Sequence, residues 1–75
     1  MKFIRIYENN EVVGLLPVDY FTGFFITKFI DGDDISYYVE GVSEGKKLSF
    51  PLTRIHVCRD KVEYELLVLM DELNK

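Results

Sequence analysis

Asp60-Lys61-Val62-Glu63-Tyr64-Glu65-Leu66-Leu67-Val68-Leu69-Met70-Asp71-Glu72-Leu73 decides between an all-β chain and a mixed one. Val62, Leu66, Leu69 and Leu73 recur at helical spacing with Met70 beside them, and neither Gly nor Pro interrupts the run. Asp60 with Glu63 three residues on has the form of an N-cap and its reciprocal acid. Val62-Glu63-Tyr64-Glu65-Leu66 also alternates as a strand does. About 14 residues without a breaker is long for a strand in so small a domain, so residues 61–74 are read as a helix.

Upstream of this segment the chain reads as strands. Val, Ile, Phe, Tyr and Thr supply 28 of the 75 residues, and these side chains suit a pleated surface. Lys2 to Tyr7 is a first strand with Ile4 and Ile6 on one face. Asn9-Asn10 is a two-residue turn, because Asn tolerates positive φ, and Val12 to Leu16 returns. Phe24 to Ile30 is a third strand, apolar on both sides, so both faces are expected to be at least partly covered. Asp31-Gly32-Asp33-Asp34 is a turn into Ile35 to Gly41. Ser43-Glu44-Gly45 turns again into Lys46 to Phe50, and Pro51 ends that strand. Arg54 to Arg59 alternates once more, with Ile55 and Val57 on one face. The expected fold class is therefore α+β: a small antiparallel β-meander of five or six strands, able to curl into a partly closed barrel, with one C-terminal helix. Residues 1–75 form a single domain in this reading.

Composition removes several functions. Apolar residues make up 48% of the chain, with no alanine among them, which excludes intrinsic disorder. A net charge of −4 argues against a broadly basic nucleic-acid binder. One cysteine forms no internal disulfide, and no Cys/His cluster has zinc-ligand spacing, so no metal or cofactor is expected. The N-terminus alternates instead of forming an apolar leader, and the longest apolar runs fall far short of the ~20 residues that span a bilayer. A reducing cytoplasm, of the source cell or of a host, is the expected compartment.

The candidate chemistries are thin. His56 and Cys58 stand at i and i+2 and share a strand face, but no Gly-rich elbow or oxyanion loop accompanies them. The acidic turn at Asp31, Asp33 and Asp34 lacks the ligand spacing of a calcium loop. Gly41-Val42-Ser43-Glu44-Gly45-Lys46-Lys47 misses the phosphate-loop pattern, with three residues between its glycines and Lys47 in place of the hydroxyl. Each is accounted for by strand or turn structure, and no catalytic residue is assigned.

What remains is surface. On the predicted helix Tyr64, Leu67 and Val68 fall nearly opposite the core stripe, ringed by Glu63, Glu65 and Asp71. The chain is thus expected to be a non-catalytic protein-binding module, with Tyr64, Leu67 and Val68 as its interface and a homodimer through the helix as the simplest assembly. Small acidic domains of this kind are common among phage and mobile-element inhibitors that occupy a host protein's surface. Residues 46–61 carry a local excess of four positive charges, and this supports an alternative, a small nucleic-acid-binding β-barrel. Its face would comprise Phe3, Arg5, Tyr7, Lys46, Lys47, Arg54 and Arg59. The acidic total ranks nucleic acid below a protein partner, and no membrane partner is expected.

Overall fold

The computed structural model of the chain describes residues 2–74. Strands β1 (Phe3–Glu8) and β2 (Glu11–Pro17) form one antiparallel sheet. A single 3-10 turn (Val18–Tyr20) leads into β3 (Gly23–Asp31), β4 (Asp34–Ser43) and β5 (Leu48–Pro51), which form a second antiparallel sheet in that order. Helix α1 (Arg59–Leu73) follows. The α+β architecture, the antiparallel pairing and the final helix are as expected, but the single meander is not, since β2 and β3 lie in different sheets. Nor is the barrel: among the described residues no ladder joins the two sheets, and the strands number five.

Two of the three hairpin turns form where the sequence places them, for the expected reasons. The third covers residues 44–47 instead of Ser43–Gly45, so Lys46 and Lys47 lie in the turn and the strand expected from Lys46 starts at Leu48. Asn9 and Asn10 have φ of 51° and 65°, the paired positive values of a two-residue hairpin whose twist matches its strands. Gly32, at φ 63°, opens the turn between Asp31 and Asp34. Both prolines end their strands at positions that need no N–H. Pro17 lies opposite Phe3, flanked by the Val18 N–H donating to the Lys2 carbonyl at 2.9 Å; Pro51 lies opposite Glu40, flanked by the Leu52 N–H donating to the Val39 carbonyl at 2.8 Å.

The sixth strand, Arg54 to Arg59, is reduced to one bridge between His56 and Tyr37. The ladder on β4 stops at Thr53, because its Oγ1 takes the Val39 N–H at 3.1 Å, and the Ile55 N–H goes to Asn10 Oδ1 at 2.8 Å. Ile55 and Val57 therefore point outward, and Val57 is 82% exposed. The helix also begins earlier than residue 61. Cys58 occupies the N-cap without a side-chain hydrogen bond, and Asp60 falls inside the first turn instead of capping it. Arg59 is drawn into the helix by Glu63 one turn on, Nε to Oε1 at 3.0 Å.

Ile4 and Ile6 of β1, Phe21, Val39 of β4, Leu52 and Val62 of α1 make the buried core, with Leu66, Leu69 and Leu73 of the helix packed against it. The predicted helical stripe does face inward. The covering expected for the second face of β3 fails: Phe25 and Phe29 are about half exposed. Between them Thr27 Oγ1 and the Tyr38 hydroxyl both donate to Glu40 Oε2 at 3.1 Å, a polar patch that a second layer would have to desolvate.

Candidate functional site

Lys2 ties the start of β1 to the end of α1, its Nζ donating to the carbonyls of Glu72 and Leu73 at 3.0 and 2.9 Å. At the other end Asn10 holds Ile55, just ahead of the helix. Strand and helix therefore run antiparallel past each other. The space they leave is a groove of about 770 Å³. Phe3, Ile4, Arg5, Tyr7 and Leu15 line one wall, and Tyr64, Glu65, Val68, Leu69 and Glu72 line the other. Leu52, Thr53 and Arg54 complete the lining.

Two separate sequence readings meet in this groove. Tyr64 and Val68, taken from the helix as a protein interface, stand across from Phe3, Arg5, Tyr7 and Arg54, taken from the strands as a nucleic-acid face. Leu67 does not line it; it is 68% exposed elsewhere on the helix. Nor do the remaining basic candidates. Lys46 Nζ lies 4.2 Å from the centre of the Tyr20 ring, Lys47 sits in the turn before β5 at φ 55°, and Arg59 is paired to Glu63. The face proposed for nucleic acid is thus divided among separate parts of the surface. Glu65, expected at the rim of the helix patch, lines the groove, whereas Leu15 and Glu72 were missed by sequence reasoning. Leu15 is detectable only through its register opposite Arg5, and Glu72 only through the helix's angle to β1.

Charge in the groove is uneven. Neither Arg5 nor Arg54 has a side-chain ion pair among the described residues. Glu65 Oε2 lies 3.2 Å from His56 Nε2, close enough for attraction but misaligned for a hydrogen bond, and both atoms are otherwise buried without a partner. His56 thus faces the helix, and Cys58, two residues on, is exposed at the N-cap. Among the described residues no three His, Cys, Asp or Glu side chains gather as a metal site, and no helix is long and apolar enough to cross a membrane.

Away from the groove, one ionisation is displaced. Burial, then the charge of Glu40, then the hydrogen bond to Glu40 hold the Tyr38 phenol above its ordinary value of 10.0. No protein-family model, curated protein or solved structure matches the chain.

Proposed function

We propose that the chain is a non-catalytic protein-binding module that engages its partner through the groove between β1 and α1. The observation that carries this reading is the convergence of Phe3, Leu15, Tyr64 and Val68 with two unpaired arginines in one concave surface. The wider surface supports it. Among the described residues fourteen large apolar side chains are exposed, and Phe3, Leu15, Tyr64 and Val68 of these gather in the groove as one patch. Aromatic and arginine side chains are also the usual anchors of protein interfaces. Inhibition by occupying a partner's surface, as phage and mobile-element proteins do to host systems, is the mode of action included in this proposal, with the cytoplasm of source or host as its setting.

The test is capture from a lysate on the immobilised full chain, in parallel with Tyr64→Lys and Val68→Lys variants whose circular dichroism matches the wild type. A protein retained by the wild type and lost from both variants is the expected result. Retention of nucleic acid that falls steeply with salt would instead favour the basic-face alternative.

A further inference from the structure

The groove touches three consecutive residues of β1, Phe3, Ile4 and Arg5. Phe3 and Arg5 share an exposed face with Leu15 of β2, whereas Ile4 between them is buried on the other, so the groove lies over that face and also reaches the edge of β1. Among the described residues no strand pairs with that edge, since β1 forms a ladder with β2 alone. The hydrogen-bond pattern says which groups it offers. Phe3 lies opposite Pro17, which has no N–H, and the neighbouring bond runs from Val18 to Lys2. The Phe3–Pro17 pair is therefore a non-hydrogen-bonded one. Alternation makes Ile4–Leu16 a bonded pair and Arg5–Leu15 a non-bonded one. The backbone N–H and C=O groups of Phe3 and Arg5 thus point away from β2, along the groove.

We propose that the groove takes an extended, acidic peptide segment of the partner, which adds to β1 as the third strand of the β1–β2 sheet. This rests on the protein-binding reading and specifies its ligand. The main-chain groups of Phe3 and Arg5 supply the ladder, and Tyr64 and Val68 receive alternate apolar side chains from the helix wall. The carboxylate is placed by position, not by the groove's formal balance, in which Glu65 and Glu72 of the helix wall offset Arg5 and Arg54. These two arginines have no ion pair among the described residues and are where an acid of the segment pairs. Glu72 stands where Lys2 meets the end of α1, so the peptide's carboxylate is directed to the opposite, Arg54 end.

The full chain is panned against a display library of random linear heptapeptides, and an enriched sequence is synthesised and titrated. Enriched peptides should carry Asp or Glu among alternating apolar residues. Binding should slow amide exchange at Phe3 and Arg5 by about tenfold or more. The Arg5→Glu/Arg54→Glu double variant should weaken binding by at least about tenfold, and both side chains are exposed, so the fold is not at risk. Binding without protection of those two amides overturns strand addition, and enrichment of basic or uncharged peptides overturns the acidic ligand. Protection that grows with protein concentration in the absence of peptide assigns the edge to a second copy and also overturns it. Failure to enrich any peptide, while groove-dependent protein capture persists, rejects the peptide and leaves the binding module standing; loss of both rejects both.

Discussion

Phe21 packs directly on Gly41: a Cβ placed there would stand 2.7 Å from Phe21 Cδ1, with Leu52 Cδ1 at 2.8 Å. Gly41 pairs with Phe24 on one side and Phe50 on the other, in the middle of the larger sheet, so its backbone cannot retreat without breaking two ladders. Gly41→Ala should cost about 1–3 kcal/mol, as overpacking of a filled core does. For a domain of this size a change of about 1 kcal/mol shifts the melting temperature by roughly 4–8 °C. Phe21→Leu alone should also destabilise, but the double variant should lose less than the two single losses combined. Full additivity in thermal melts would mean that the two sites do not touch.

Cys58 caps α1 without a side-chain hydrogen bond to the first helical N–H groups. Its backbone is already extended, as an N-cap requires, and its side chain is exposed. Cys58→Asp should therefore stabilise the chain by roughly 0.5–2 kcal/mol, through a capping bond and a favourable charge at the helix start. Cys58→Ala should leave both stability and partner capture nearly unchanged. Loss of capture with the fold intact would revive a role for the thiol.

Much of this fold is local, and local signals were legible. The Asn9-Asn10 turn, the Gly32 turn and the Val62/Leu66/Leu69/Leu73 stripe each follow from a few adjacent residues with a known backbone or periodic requirement. The errors arise where a distant group competes for the same backbone. Ile55 and Val57 alternate as a strand, but Thr53 Oγ1 and Asn10 Oδ1 take the N–H groups of Val39 and Ile55. Asp60 has the residue type of a cap, but Arg59 finds Glu63 one turn on and the helix starts before it. The groove lay furthest from reach. Tyr64 and Val68 were singled out from helical angle and Arg5 and Arg54 from charge, and only the antiparallel passage of β1 along α1 shows that they belong together.

Tyr38 gives a pH signature. Its phenol is held above 10.0 by burial and by Glu40, so the folded chain keeps that proton more tightly than the unfolded one. The associated stability is complete below the unfolded value and is lost as pH rises through the higher, folded value. In an ultraviolet titration one of the five tyrosines should ionise above the ordinary range, and Tyr38→Phe should remove that phase. Glu40→Gln removes the charge that opposes the phenolate and should bring the phase down. No change in Glu40→Gln would leave burial as the sole cause.

Leu67 and Val68 separate two uses of the helix. Adjacent residues lie about 100° apart around a helix, so Val68 reaches the groove while Leu67 does not. Covering one large apolar side chain is worth roughly 1.5–3 kcal/mol, and Leu67 from each of two copies falls short of the −8.2 kcal/mol that corresponds to about 1 μM once ordering costs are subtracted. A homodimer through α1, which we carry as a proposal, must therefore also recruit Tyr64 and Val68, the residues that line the groove. Self-association and partner binding then compete. Leu67→Lys should convert dimer to monomer in sedimentation without unfolding and leave groove-dependent capture intact or stronger. Val68→Lys should abolish both. A wild type that is already monomeric at tens of micromolar rejects pairing through the helix, and under that result Leu67→Lys should leave capture unchanged while Val68→Lys still eliminates it.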